Sequence, residues 1–418
     1  MVCIAPRRIP QICLPHLDAD FGALQPSIRS AATHSLYYER AASLGRFNAE
    51  TMPHPPLEFA SHIPPAEETS VAAIGEQERY SRQILFPGIG ARGQRELARA
   101  HVGIVGCGAT GAAAASLLAR AGVGTLTLID RDFVEPSNLQ RQILFDESDA
   151  LQALPKAEAA RRKIAQFNST ITVHAQVTDL VPANIADLLD DAQLILDATD
   201  NFETRYLIND FAVQQGKPWI YAAAIGSYGA TMNILPVAPS ALWKPTACLA
   251  CLFPKPPSGP VETCDTAGIL STAVNLAASI QVTEALKLLI GQTELMRRTL
   301  FSYDLWTSER SEVSTSIPRP DCTVCSERNF THLTGEGRPH ITLCGRNSVQ
   351  IHEHHRPIDF AAMCERLTPH GQVRFNELLL RFERPPHTMT LFADGRAIIQ
   401  GTTDMTVARS LYARFIGS

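Results

Sequence analysis

Residues 101–142 read HVGIVGCGATGAAAASLLARAGVGTLTLIDRDFVEPSNLQRQ. An apolar run, Val102 to Val105, enters the glycine cluster Gly106, Gly108 and Gly111 at G-x-G-x-x-G spacing. A small-residue helix is predicted from Ala112 to Ala121, and a second apolar run, Leu126 to Ile129, ends on Asp130. Strand, glycine turn, helix and acid-tipped strand make a βαβ unit, with the acid about 20 residues past the glycines. Its physics is that of a nucleotide site. Glycines let phosphate approach the backbone, the helix N-terminus offers free N–H donors at the positive end of its dipole, and the acid binds ribose hydroxyls.

Alone, that unit suits an NAD(P)-dependent oxidoreductase at least as well as any other nucleotide enzyme. The following residues add charge of another kind. Asp130-Arg131-Asp132 leads into Ser137-Asn138-Leu139-Gln140-Arg141-Gln142, and Lys156 follows Pro155. A dehydrogenase has no need of Arg and Lys just past the second strand, whereas a triphosphate needs guanidinium and ammonium groups to hold it.

Together with further landmarks, these residues resemble the E1-like adenylyltransferases of the ThiF/MoeB/HesA group, which activate ubiquitin-like sulfur-carrier proteins. The landmarks are Arg79-Tyr80-Ser81-Arg82-Gln83, Gly106 to Gly111, Asp130 to Gln142, Pro155-Lys156, Asp197-Ala198-Thr199-Asp200-Asn201, Cys248/Cys251, Glu262-Thr263-Cys264 and Cys322/Cys325. The resemblance runs from about Glu78 to Ser326. It implies ATP on the glycine turn with Asp130 on the ribose, and Asn138, Arg141 and Lys156 on the phosphates. It also implies Mg²⁺ on Asp200 and a symmetric homodimer in which Arg82 reaches the partner's ATP. The implied substrate is a small β-grasp carrier ending in Gly-Gly, with a sulfurtransferase or cysteine desulfurase as sulfur source. Locally, Asp200 reads equally as the N-cap of a helix from Phe202, and Arg82 as a solvated helix residue.

Cysteine spacing gives an independent signal. Cys248-x-x-Cys251 and Cys322-x-x-Cys325 are two knuckles able to place four thiolates tetrahedrally around a structural zinc ion. The long gap makes the metal a clip between distant segments. Cys264 stands apart, in the Gly- and Pro-rich stretch Pro254 to Gly268 ahead of a helix at Leu270 to Leu289. By resemblance it attacks the activated carboxyl or exchanges with sulfur on the carrier, chemistry that requires thiolate and nearby positive charge.

The remainder is consistent with a cytoplasmic enzyme. Hydrophobic content of 45% and charged content of 19% suit a globular protein. The net charge of −5 gives no electrostatic reason to expect nucleic acid or a membrane surface as partner. Residues 1–75, with scattered prolines, read as a disordered extension, and Met52 is a plausible start. Residues 76–330 read as the ATP-binding domain. Helices precede the first strand, and strands at Thr170–Ala175, Leu194–Asp197 and Trp219–Ala224 alternate with helices at Lys156–Phe167, Asn184–Leu189 and Phe202–Gln214. The pattern predicts a doubly wound, Rossmann-like parallel α/β sheet. Residues 335–418 read as a small α+β domain, with strands around Ile341–Ile351, Leu378–Phe382, Thr388–Phe392 and Ala397–Gln400 and a closing helix at Thr406–Phe415. Ala393-Asp394-Gly395-Arg396 reads as a hairpin turn, and His352, His354 and His355 as loop residues. The expected role of this domain is carrier docking, so deleting it is expected to spare ATP binding.

Overall fold

The glycine-centred unit forms as the sequence predicts. In the computed structural model, helices α1 (Ser81–Leu85) and α2 (Gly90–Arg99) precede strand β1 (His101–Val105). The turn then opens helix α3 (Ala109–Ala121), followed by β2 (Thr125–Ile129). The structure describes residues 76–418 except 240, 257–263, 335–341, 344–347, 352–357, 376, 393–394, 396 and 418. The expected extension over 1–75, Glu262-Thr263, the histidine group 352–355 and most of the 393–396 turn therefore lie outside the described residues.

Helix α4 (Lys156–Phe167) leads to β3 (Thr172–Gln176), and β4 (Leu194–Asp197) to α5 (Phe202–Gln215) and β5 (Trp219–Ile225). Strands β1 to β5 pair in parallel in the order β3-β2-β1-β4-β5. The inner strands β1, β2, β4 and β5 are largely apolar because helices cover both faces, whereas the edge strand β3 (TVHAQ) is only partly buried. The order reverses between β1 and β4, so a crevice opens beyond their carboxyl ends.

The sheet is not purely parallel. β6 (Tyr228–Ile234), β7 (Thr299–Asp304) and β8 (Glu309–Ser314) extend it antiparallel from β5, giving eight strands. The long helix α6 (Ser271–Leu289) packs against this extension and against α3. Its Gln281 side chain is fully buried and donates to the carbonyls of Asp197 and Ile220, joining β4 to β5.

The C-terminal residues form a second, antiparallel sheet. Its strands are β9 (Thr342–Leu343), β10 (Ser348–Ile351), β11 (Gln372–Phe375), β12 (Leu379–Arg384), β13 (His387–Phe392) and β14 (Ala397–Gln400), in the order β11-β12-β13-β14-β10-β9. Helices α7 (Phe360–Leu367) and α8 (Met405–Phe415) cover one face. Each is capped by an aspartate, Asp359 or Asp404, accepting from the first-turn amides. Among the described residues, no helix is long and apolar enough to cross a membrane.

Candidate active site

The three glycines meet three different demands. Gly106 has φ +91, and a Cβ there would lie 2.7 Å from the Ala198 carbonyl oxygen at the neighbouring strand tip. At Gly111 a Cβ would lie 1.8 Å from the Gly106 oxygen, so only glycine lets α3 sit this close to β1. Gly108 is open, its nearest neighbour being Gln142 Nε2 at 4.0 Å. Packing fixes the outer glycines and leaves the middle one facing free space. That is the arrangement a phosphate cradle needs.

Asp130 holds this turn from below. One carboxylate oxygen accepts from the Cys107 amide at 2.6 Å, the other from the Asp132 amide at 2.7 Å. Burial pushes its pKa up, and Lys156 opposes that rise. Each oxygen keeps a second lone pair for a ribose hydroxyl. Cys107 is buried beside it, its thiol pushed up by burial and by Asp130, which keeps it neutral packing.

Lys156 is 2% exposed and pairs with Asp132 at 3.2 Å, while its backbone N–H donates to the Asp132 carbonyl. Phe133 and Pro155 form a β-bridge, and Val134 N–H donates to Leu154, so the segments bearing Asp132 and Lys156 are stitched side by side. Asn138 is buried, and its side-chain oxygen accepts from the Glu135 amide in a capping box on the 3-10 turn Pro136–Asn138. That fixes the Asn138 side chain, whose amide group donates only a long bond, 3.5 Å, to the Ser137 hydroxyl. Gln142 is 3% exposed beside the Gly108 turn, and its Oε1 is buried without a protein partner. A buried polar atom of this kind calls for a ligand or water, and the sequence reading did not single it out.

Arg141 and Cys264 are brought together. The Arg141 guanidinium donates to the Ser137 carbonyl at 2.9 Å and to Cys264 Sγ at 3.8 Å. A guanidinium beside a thiol favours the thiolate.

Asp200 lies at the adjacent tip, after β4. It is not the N-cap: Asn201 takes that place, accepting from the Thr204 amide at 2.9 Å, so the exposed Asp200 carboxylate has no capping duty. Its loop is shaped by a buried pair absent from the sequence reading. Arg205 donates to Asp197 at 3.1 Å and to the carbonyls of Thr199 and Ala222. Burial works against the charge on Arg205, while Asp197, and more weakly Asp200, support it. Arg131, gripping Asp179 through two bonds of 2.7 and 2.9 Å, also feels Asp200.

Arg82 is exposed on α1, close in sequence to Leu85 and Phe86, which are 70% and 60% exposed. The four knuckle cysteines are a separate group. Their sulfurs lie within 4.8 Å of one another, with contacts of 3.8, 3.6 and 3.4 Å. Tetrahedral zinc–thiolate geometry with bonds of about 2.3 Å puts the sulfurs about 3.8 Å apart, so the set fits zinc closely. The Arg319 amide donates to Cys251 Sγ, a second-layer bond of the kind that orients ligands. Four ligands from protein leave no open position. Helix α5 carries the clip: Tyr206 donates to the Phe253 carbonyl, Asn209 accepts from the Leu249 amide, and the fully buried Asp210 accepts from the His332 amide.

Comparison with known proteins agrees with this geometry. The ThiF family model matches residues 80–324. The chain is 45% identical over 343 residues to the sulfur carrier protein ThiS adenylyltransferase of Bacillus subtilis, covering 81% of this chain and 99% of that protein. It is 36% identical over 290 residues to the sulfur carrier protein adenylyltransferase of Thermus thermophilus, covering 69% and 97% respectively. The crystal structure of E. coli MccB with MccA-N7isoASN shares the fold, with a TM-score of 0.52 and 23% identity over 61% of this chain and 76% of that one.

Proposed function

The chain belongs to the ThiF family, and on that basis we propose that it uses ATP to adenylate the C-terminal glycine carboxylate of a small β-grasp sulfur carrier. The observation that carries this reading is the open face at Gly108, with the Gln142 side-chain amide nitrogen nearest it and Lys156 and Arg141 on the segments that follow Asp130. It gives basic groups to a triphosphate and leaves no use for them in an oxidoreductase, the alternative that the glycine turn first suggested.

In this reading Asp130 accepts from the ribose, and the amides of the turn and of the start of α3 receive phosphate oxygens. Arg141 and the side-chain amide of Asn138 bind further phosphate oxygens, and Lys156 exchanges part of its pairing with Asp132 for phosphate. The carrier's carboxylate oxygen bonds to the α-phosphorus as the bond from that phosphorus to the bridging oxygen breaks, and pyrophosphate leaves. The protein forms no bond in that step. It positions charge and neutralises what develops on phosphate. The exposed Asp200 would hold Mg²⁺, which would supply screening of the phosphate oxygens.

Cys264, with Arg141 beside it, is the candidate for receiving or relaying the activated acyl group during sulfur transfer from a sulfurtransferase or desulfurase. Arg82 completes the site of a second copy in a homodimer, with the exposed Leu85 and Phe86 available for burial in that contact. The four knuckle cysteines hold a structural zinc ion, a thiolate set suited to the reducing cytoplasm. Thermal unfolding with ligands separates the two nucleotide readings: Mg-ATP raises the melting temperature and NADH does not. Stabilisation by NADH alone overturns the assignment.

A further inference from the structure

The strands of the C-terminal sheet carry consecutive apolar pairs, Leu379-Leu380, Leu391-Phe392 and Ile398-Ile399. Successive side chains of a strand point to opposite faces, so such pairs mark a sheet buried on both. Leu380, Phe382, Met389, Leu391, Ala397 and Ile399 face α7 and α8. Leu379, Phe392 and Ile398 face the other way and close over Phe133, which is 1% exposed. The polar residues of that second face agree with the register. Arg381, paired through Thr390 with Ile398, lies over the Phe133 ring at 5.4 Å, and Gln400 reaches Glu135 at 3.5 Å.

Phe133 belongs to the loop between Asp130 and Asn138. It bridges Pro155, so its position sets that of Asp132 on one side and Lys156 on the other. Ala153, held at φ 48, packs into the same cluster just ahead of that bridge. All three of the other buried apolar residues in this cluster come from the C-terminal sheet, while the earlier chain adds the partly buried Ala153 and Val177. We propose that the C-terminal sheet is a positioning element of the nucleotide site: it clamps Phe133 and thereby holds the Asp132–Lys156 pair where the triphosphate binds. This rests on the adenylation reading and departs from the expectation that the domain serves the carrier and spares ATP.

The test measures Mg-ATP binding to the full-length protein by calorimetry, with Kd and stoichiometry read separately. Ile398→Asp, which puts a carboxylate against Phe133, and the milder Ile398→Ala and Arg381→Ala are compared with Val407→Asp at an exposed position of α8. The expected result is a Kd raised about tenfold or more by Ile398→Asp, with a smaller rise for the two alanine variants. Stoichiometry stays at the wild-type value, Ile398→Leu restores the Kd, and Val407→Asp leaves it unchanged. A merely structural role lowers the fraction of protein that binds and leaves Kd alone, which overturns the proposal. Should Ile398→Asp fail to fold, unchanged Kd values in Ile398→Ala and Arg381→Ala overturn it equally. A wild-type protein that binds no ATP overturns the adenylation reading itself, and the proposal with it.

Discussion

The glycine series separates folding from binding. Gly111→Ala places a methyl 1.8 Å from the Gly106 oxygen and 2.8 Å from its carbon. Both are backbone atoms, so relief requires the start of α3 to move about 1.5 Å away from β1 to reach van der Waals contact. Overpacking of this kind costs about 1–3 kcal/mol, and a rigid partner puts it at the upper end. Gly106→Ala combines a contact of 2.7 Å with φ +91, and the left-handed conformation alone costs about 1–2 kcal/mol. Gly108→Ala meets nothing nearer than 4.0 Å and has negative φ, so its stability stays within about 1 kcal/mol of wild type. Its methyl nevertheless stands where phosphate approaches, and ATP affinity is expected to fall by at least about tenfold. Urea unfolding and ATP titration on the three variants check this. The reasoning is refuted if Gly108→Ala loses as much stability as Gly111→Ala, or if it binds ATP like the wild type.

Three further outcomes follow from the packing. Arg205→Leu strands the fully buried Asp197 charge and frees the Thr199 carbonyl, so chemical denaturation is expected to show a loss of about 3–5 kcal/mol. Metal analysis is expected to find one equivalent of zinc in the wild type and none in Cys251→Ser, which should also melt lower while keeping measurable ATP affinity, because the knuckles pack on α5. The third concerns acid. Glu158 is held below its ordinary value by hydrogen bonding from Arg161, against its partial burial and with help from Arg162. A depressed carboxyl contributes stability above its unfolded pKa, near 4.5, and loses it as pH falls through the folded value. Glu158→Gln is therefore expected to be less stable than wild type at neutral pH, by under about 1 kcal/mol for pairs this close to solvent. The difference shrinks as pH falls below 4.5 and is lost once pH has passed through the lower folded value, as followed by thermal unfolding.

How much of this was legible in the sequence depended on burial. β1, β2, β4 and β5 are apolar runs bounded by turn residues, and their prediction needed no partner. β8 reads ERSEVS and is exposed nearly throughout, an edge strand fixed by β7 rather than by its own pattern. β6 and β7 were missed with it, which turned a mixed sheet into an expected parallel one. In the site, residue types and spacing pointed to the glycines, Asp130, Lys156 and the knuckles. Their supports did not show: Asp132 meets Lys156 from 24 residues away and Gln281 meets Asp197 from 84. Such contacts are set by tertiary packing. Asn201 rather than Asp200 caps α5 because its side-chain oxygen reaches the Thr204 amide, three residues on, a choice between neighbours that spacing alone does not make.

Carrier-dependent exchange of labelled pyrophosphate into ATP tests the central claim most directly. The account predicts exchange only when a β-grasp protein ending in Gly-Gly is present, and none with Lys156→Ala that still unfolds cooperatively. Exchange that persists in Lys156→Ala, or a wild-type protein that shows none with any such carrier, contradicts it.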